Sequence, residues 1–380
     1  DKLYFEFPKS LLGREFLMGS SISATSDNTS GLVGQTMTTP LHIRFAIQED
    51  QVYMQNVTPV SRMDVYSNQS DISKAVAKSN ITPDMESFKI AAYNMDSTAV
   101  VFEVTKFFLA DNKRLPLFDQ NSSSLEDEKY GQLELKAVLK KNLSSIRNFY
   151  VFDDNLEINL DMSFYQSLLA SKKEVRGGNV RVKAVYSMLL LPEETMVWRL
   201  GDPRLGYTFT KKQKISTEKD GTAFSYLQHK WNLLPADEEA YRRGDLVAPR
   251  KPVVFYIDSD FPEAWKKAIK EGVNWWNEAF KMAGFKDAVQ TADFPANDTT
   301  FYAGNLKYSC IRYVPVNLSK TQSKVWVDPR SGEIINGTIF VGHDIAKTIA
   351  SQRFVQTAQV DERMRGIQLS EEVLLEGIRL

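Results

Sequence analysis

The chain has 380 residues, of which 43% are hydrophobic and 11% aromatic, so it is too apolar to be disordered and long enough for two domains. Its 47 basic and 48 acidic residues are interspersed, so no basic field indicates nucleic acid or an anionic membrane as a partner. No apolar run approaches the ~18 residues of a membrane span. The single cysteine, Cys310, excludes an intrachain disulfide, and its strand-like surroundings favour a buried structural thiol.

The chain is β-rich from its start to about residue 246, because apolar residues recur there mostly with period two. In HIRFAIQEDQVYMQNV, residues 42–57, this alternation predicts a hairpin that turns at QED. The same alternation occurs in FKIAAYN, AVVFEVTKFFL, NLEINLDMSF, NVRVKAVYSMLLL, GYTFTKKQKIS and AFSYLQHKWNL. We therefore predict a first domain over residues 1–246 that forms a twisted antiparallel sheet or a sandwich.

A charged stretch with glycine and prolines, DEEAYRRGDLVAPRKP, predicts the domain boundary, so the second domain takes residues 247–380. In this domain PVVFYID is a short apolar strand. Asp260 and Glu263 then predict a capping box around Pro262, at the start of a long helix that ends near Gly284. One face of the helix carries the apolar residues Trp265, Ala268, Ile269, Val273, Trp276, Ala279 and Phe280.

The remaining segments complete an α/β unit. AVQTADF and KYSCIRYVPV predict strands, residues 328–332 predict a turn, and EIINGTIFV predicts the strand that follows. The chain is predicted to be helical over residues 345–360 and again from Ser370, which is a good N-cap. The predicted fold class is therefore α+β.

The last predicted helix, in LSEEVLLEGIRL, has an apolar stripe but no stop signal. Neither a C′ glycine nor a proline follows the stripe, and a helix of about eleven residues is marginal without tertiary packing. We expect that the chain was cut here or that the helix continues beyond Leu380.

The three histidines do not form a recognisable metal site, because no two of them have the i, i+4 spacing that places both rings on one side of a metal. His42 and His229 lie in strand-like runs, which predicts ordinary structural roles. His343 ends a strand in FVGHD and could border a cleft, although a structural or capping role is favoured. No G-x-S-x-G elbow, G-x-G-x-x-G motif or P-loop occurs.

Several segments resemble those of a family of bacterial zinc-dependent metalloproteases. RKPVVFYIDSDFPEAWKKAIKEGVNWWNEAFKMAGFKDAV, YSCIRYVP and VDPRSGEIINGTI look like the first half of its metzincin-like catalytic domain. Three further stretches resemble the family's uncharacterised N-terminal domain. They are SLLGREFL, YSNQSDISKAVAKSNITPDMESFKIAAYNMDS, and RLGYTF followed by the W of HKWNLLP. The resemblance covers most of the chain.

The resemblance implies an enzyme that hydrolyses peptide bonds with a zinc-activated water, held by H-E-x-x-H and a third histidine. In that family the zinc helix begins with a stretch like LLEGIRL, so this chain is expected to stop before the first ligand. We therefore expect no catalytic residue, no metal ligand and no zinc in this chain, and zinc in the full-length enzyme. An extracytoplasmic location and association with a missing C-terminal part are also implied.

The resemblance carries over the part of the site that positions a peptide or protein substrate. In metzincin-like proteases an edge strand pairs with the extended peptide. NGTIFV matches that strand, which gives these expected substrate-binding residues: Asn336, Gly337, Thr338, Ile339, Phe340 and Val341. By the same comparison Trp265, Trp276 and Phe280 are core residues. The alternative is a non-catalytic peptide- or protein-binding module, in which the α/β half is only a platform.

Overall fold

The structure is a computed structural model, and it describes residues 2–27, 31–34, 36–57, 78, 81–118, 125–127, 129, 131–215, 222–295, 301–316, 321–365 and 370–380. Part of one segment that carries the resemblance, residues 66–77 with 79 and 80, lies outside them. The chain divides into two compact units. Unit 1 is Asp1–Lys230 with Trp326–Ile334, and unit 2 is Trp231–Val325 with Ile335–Leu380. These units are not tested as domains, so the predicted domain boundary after residue 246 stays a prediction.

Unit 1 is built on an eleven-stranded sheet, with strand order β1-β6-β5-β4-β3-β2-β11-β10-β8-β7 and with β9 paired to β10 beside this path. The strands are β1 (Tyr4–Pro8), β2 (Glu15–Thr25), β3 (Leu41–Gln48), β4 (Gln51–Asn56), β5 (Asp84–Tyr93), β6 (Ala99–Glu103), β7 (Leu125–Asp127), β8 (Gly131–Leu139), β9 (Ser145–Val151), β10 (Asn155–Ala170) and β11 (Lys173–Leu190). Helix α1 (Thr105–Phe108) follows β6, and β12 (Phe209–Ile215) forms a separate hairpin with β13 (Thr222–Gln228).

The sheet is antiparallel and curled around an apolar core, which confirms the β-rich first region. Alternate side chains of a strand share one face, so the period-two pattern places a continuous apolar surface inside. The predicted hairpin in residues 42–57 is confirmed, with Gln48 opposite Gln51. The TKFF part of AVVFEVTKFFL is helical instead of extended, and this turn buries Phe107 and Phe108 in the core.

Unit 2 contains a five-stranded sheet with the order β15-β14-β16-β18-β17. Its strands are β14 (Val253–Ile257), β15 (Val289–Asp293), β16 (Ser309–Val314), β17 (Gln322–Asp328) and β18 (Glu333–Gly342). Residues 326–328 of β17 and 333–334 of β18 belong to unit 1, and the rest of both strands belongs to unit 2. Its helices are α2 (Glu238–Arg243), α3 (Glu263–Met282), α4 (Ile345–Thr357) and α5 (Glu371–Arg379). Strand β14 is parallel to β15 and β16, and β16 is parallel to β18. The tight turn at residues 328–332 reverses the chain, so β17 runs against β18.

None of the described helices is long and apolar enough to cross a membrane.

Helix α3 confirms the predicted long helix and its end near Gly284, whose φ of +86° suits a glycine. Two other details of the prediction are wrong. The predicted capping box is absent: Pro262 is the N-cap without a side-chain bond, and Asp260 donates its backbone N–H to Asp258 instead. The expected core role of Trp276 is wrong as well, because 65% of its surface is exposed on this helix.

Helix α5 packs against α3 at a point where both backbones come close. Ser370 caps α5 as predicted, because its Oγ accepts a hydrogen bond from the backbone N–H of Val373 at 3.3 Å. A Cβ placed on Gly272 of α3 would lie 2.1 Å from the carbonyl oxygen of Arg379. The Nε of Arg379 also donates to Glu271 at 2.6 Å, which fixes the end of α5. The glycine in α3 is therefore required by the close approach of α5.

We expect Gly272→Ala to destabilise the protein by about 1–3 kcal/mol, because α5 must move to make room for the methyl group. At an exposed helix interior the same change would stabilise the protein by roughly 0.5–1 kcal/mol. Urea denaturation measures the difference. Gly178→Ala in β11 is the matched control, because its added Cβ meets no atom within 4 Å. Increased stability of Gly272→Ala would contradict the packing described here.

Candidate functional site

Unit 2 has polar residues at the carboxyl ends of its parallel strands. In open α/β sheets, ligands bind beyond these ends, where the strand order reverses. The reversal lies at β14, since β15 pairs on one side of it and β16 on the other. Asp258 directly follows β14, and His343 directly follows β18. This end of the sheet is therefore the candidate functional site.

Asp258 is a buried carboxylate that binds backbone groups of two neighbouring segments. Its Oδ1 accepts a hydrogen bond from the backbone N–H of Asp260 at 3.2 Å, and its Oδ2 accepts one from that of Tyr313 at 3.3 Å. Its own backbone N–H donates to the carbonyl oxygen of Ile311 at 3.0 Å. Asp258 thus links the loop before α3 to β16 and fixes the position of Tyr313.

The side chain of His343 is exposed but held on two sides. Its Nδ1 shares a hydrogen bond of 2.5 Å with the hydroxyl of Tyr313. The Trp265 ring stacks on the imidazole, with 6.4 Å between centroids and 19° between planes. Among the described residues, none forms a hydrogen bond with Nε2 of His343. An imidazole oriented in this way can form a hydrogen bond with a ligand through its open nitrogen.

Sequence reasoning identified His343 but gave it a structural role. Its backbone does have one, because its N–H lies 3.1 Å from both the Val314 and the Val316 carbonyl oxygens. Tyr313 and Asp258 were missed, although each lies at the end of a segment predicted to be a strand. Only the parallel pairing of β16 with β14 and β18 brings these ends together.

The six expected substrate-binding residues lie in β18, and their expected position at the sheet edge is wrong. Strand β18 lies between β16 and β17, because the turn at residues 328–332 folds β17 onto its outer side. The Asn336 side chain donates to the carbonyl oxygens of Leu306 at 2.9 Å and Tyr308 at 2.8 Å, and the Gly337 N–H donates to Ser309 Oγ at 3.1 Å. Asn336 and Gly337 thus bind the segment 306–309, which leads into β16.

The other four residues of that set face packed surroundings. Thr338 and Phe340 are buried, while Ile339 and Val341 pack, partly buried, in the cluster that contains Ile269 of α3. A direct role of any of the six in binding a peptide stays a prediction.

The described side chains do not fit a zinc site. Among them, no group of three or more His, Cys, Asp or Glu residues is placed to hold a metal ion. His229 is bonded through both ring nitrogens, to Thr210 Oγ1 at 2.9 Å and to Thr208 Oγ1 at 3.1 Å. Burial raises the pKa of Cys310 to about 12, so its thiol stays protonated near neutral pH, in agreement with the expected structural role.

Comparison with protein families matches residues 34–236 to a domain of unknown function, DUF5117, which is just over half of the chain. The chain belongs to the DUF5117 family. Residues 1–25 match a second domain of unknown function, DUF5118. No curated protein and no solved structure matches this DUF5117 chain. The DUF5117 match ends before Asp258, so the cluster around His343 lies outside the matched residues.

Proposed function

We propose that the chain is the leading part of a zinc-dependent peptidase, in which unit 2 positions an extended peptide. The proposal rests on the resemblance to metzincin-like domains, and the observation that carries it is the outer strand β17. It is the edge strand of a sheet whose other four strands are parallel. In the resembled domains an edge strand of this kind pairs with the substrate, so β17 takes the role first expected of β18.

Within unit 2, the relevant part of β17 is residues 322–325. One side of this strand pairs with β18, and no strand of the described residues lies on its other side. Unpaired N–H and C=O groups at a sheet edge are a template for an added strand. Val325 and Ser323 are exposed on this segment. Backbone pairing tolerates many peptide sequences, and the alternating side chains select among them.

His343 has a separate part in the proposal. Its open Nε2 would hydrogen-bond to a bound peptide and help to position it. Peptide hydrolysis itself requires the zinc ligands and the general base that the resemblance implies for the segment after Leu380. The proposal therefore assigns substrate positioning alone to this chain. The implied extracytoplasmic location remains part of the same proposal.

A proline scan of Ser323, Lys324 and Val325 tests the edge-strand role. The experiment uses the protein as its gene encodes it and measures cleavage of an unfolded protein substrate. Successive N–H groups point alternately toward β18 and outward. A proline that removes an outward N–H should raise KM about tenfold with little change in Tm, whereas one that removes a bond to β18 should lower Tm.

The outcomes of this scan separate the candidate functions. Cleavage whose KM rises only for prolines at alternate positions of the scan supports the peptidase proposal. Peptide binding with the same periodicity but without cleavage would instead support the non-catalytic binding module. A protein that neither binds nor cleaves peptides would overturn both readings of β17.

A further inference from the structure

Unit 1 contains an apolar cavity of about 430 Å³ between β1 and β9, within the size range of ligand pockets. We call it the β1–β9 groove; it is lined by β1, by β9, by the turn at residues 152–155, and by parts of β2, β10 and β11. Its apolar lining includes Phe5, Leu11, Phe16 and Met188. The groove lies entirely within unit 1, so it is independent of the peptidase proposal.

One wall of the β1–β9 groove is the outer edge of β1. Among the described strands, β1 is the last on its side of the sheet and pairs only with β6. The carbonyl oxygen of Leu3 accepts a hydrogen bond from the Val104 N–H, so the odd-numbered residues of β1 turn their backbone groups toward β6. Tyr4 and Glu6 consequently turn theirs away from the sheet.

The opposite wall is the outer edge of β9. Of the strands that the structure describes, β9 pairs with β10 alone, and the Phe152 N–H donates to the Asn155 carbonyl oxygen at the turn between them. By the same alternation, Phe149 and Val151 turn their backbone groups away from β10. The side chains of Phe149 and Val151 are 57% and 71% exposed. Large apolar side chains beside unpaired strand edges mark a surface that another chain can cover.

The charges of the groove are all of one sign. Its charged lining residues are Glu6, Asp153 and Asp154, and the described residues that line it include no lysine or arginine. Among the described residues, none of these three carboxylates has a basic partner within ion-pair distance. A bound segment with a lysine or arginine would complement them. A fatty acid fits less well, because the carboxylates would repel its head group.

We propose that the β1–β9 groove binds an extended peptide segment that adds as a strand to the free edge of β1. Its apolar side chains would fill the cavity, and a basic residue would lie against the three carboxylates. Main-chain hydrogen bonds to Tyr4 and Glu6 supply the pairing, as in other cases of strand addition.

Fluorescence anisotropy with the 380-residue chain tests this proposal. The probe is a fluorescein-labelled octapeptide in which valine and leucine alternate with lysine. The first comparison probe has glutamate in place of each lysine, and the second has proline in place of each valine, which prevents strand pairing. We expect saturable binding of the lysine probe, at least tenfold weaker binding of both others, and weaker binding at high salt.

Variants of one residue separate the backbone from the charge. Glu6→Pro removes an N–H that faces the groove while leaving the pairing to β6, and should weaken binding about tenfold. Glu6→Gln keeps that N–H and should reduce only the preference for lysine over glutamate. Glu86→Gln, on the exposed surface of β5 and outside the groove lining, is the control and should change neither.

Four results would overturn the proposal. The first is equal affinity for the lysine and glutamate probes. The second is binding that Glu6→Pro leaves unchanged while Tm shows that the variant is folded. The third is a dimer of the chain that Glu6→Pro dissociates, since the free edge would then pair with a second copy. Binding of a fluorescent fatty acid without any peptide binding would also contradict it.

Discussion

Replacing Asp328 with alanine is expected to destabilise the protein by about 3–5 kcal/mol, because it removes the fully buried carboxylate that binds the Arg330 guanidinium and leaves Glu15, at 3.9 Å, as the remaining counter-charge of that largely buried group. Asp328 is fully buried in unit 1, and its carboxylate accepts hydrogen bonds from Nε of Arg330 at 2.9 Å and from Nη2 at 2.6 Å. Nη2 of Arg330 also donates to the Pro192 carbonyl oxygen at 2.6 Å, and Lys212 donates to the carbonyl oxygen of Arg330 at 2.9 Å. The guanidinium is thus bonded on several sides, and only 13% of the Arg330 side chain is exposed.

The chain supplies a matched control in a second Asp-Pro-Arg tripeptide. Asp202 accepts hydrogen bonds from Arg204 in the same two-residue spacing, at 2.9 Å from Nε and 2.5 Å from Nη2, but this pair is exposed. Asp202→Ala is expected to leave the urea midpoint nearly unchanged, because water replaces the lost partner. Similar effects of both changes would contradict a role for burial at Asp328.

A double change identifies the cause of the loss at Asp328. Asp328→Ala combined with Arg330→Met removes the stranded charge together with its partner, so it should be more stable than Asp328→Ala alone. Urea denaturation of the two single variants and the double variant gives the coupling free energy. If the free energy of unfolding falls in the double variant by the sum of its falls in the two single variants, then the two side chains act independently.

The free energy of unfolding is expected to fall by about 2 kcal/mol between pH 7.5 and pH 5 because of His42 alone. Burial lowers the pKa of His42 to about 4; Asp328 acts in the opposite direction, and Arg330 and Lys212 add to the lowering. The neutral ring donates its Nε2 hydrogen to Glu15 Oε2 at 2.8 Å.

The sign follows from the two pKa values of His42. In the unfolded chain the ring takes up a proton near pH 6.5, whereas in the folded chain it does so only near pH 4. Between these values the unfolded state binds more protons, so stability is complete above pH 6.5 and is lost as the pH falls toward 4. The full loss corresponds to roughly 3 kcal/mol.

His42→Gln isolates this contribution, because glutamine can donate to Glu15 but does not titrate. The variant should show a shallower loss of stability between pH 7.5 and pH 5 than the natural chain, measured by urea denaturation. NMR titration of the His42 ring gives its pKa directly. A value at or above 6.5 would mean that the attraction of Glu15 outweighs burial, and the predicted pH dependence would then be wrong.

Features determined by local sequence were predictable. The hairpin in residues 42–57, helix α3 and its end at Gly284, the turn at residues 328–332 and the cap at Ser370 all follow from periodicity or from the conformational preference of one residue. The predicted capping box at Asp260 is wrong because the backbone N–H of Asp260, which the box would use, donates to the side chain of Asp258 instead.

Features that depend on strand order were not predictable. A sequence pattern predicts that β17 and β18 are strands, but only pairing with β16 decides which of them lies at the edge. The contact between Tyr313 and His343 depends on the same pairing, because the two residues are 30 positions apart. The β1–β9 groove likewise requires two distant strand edges to line one cavity.

The central claim is that the chain is part of a zinc peptidase, and the zinc content of the purified protein tests it most directly. We would express the protein as its gene encodes it, beside the 380-residue chain, and measure zinc per chain by elemental analysis after dialysis. The proposal predicts one tightly bound zinc in the gene product and none in the 380-residue chain. A gene product that holds no zinc, or a tight one-to-one zinc complex of the 380-residue chain, would contradict it.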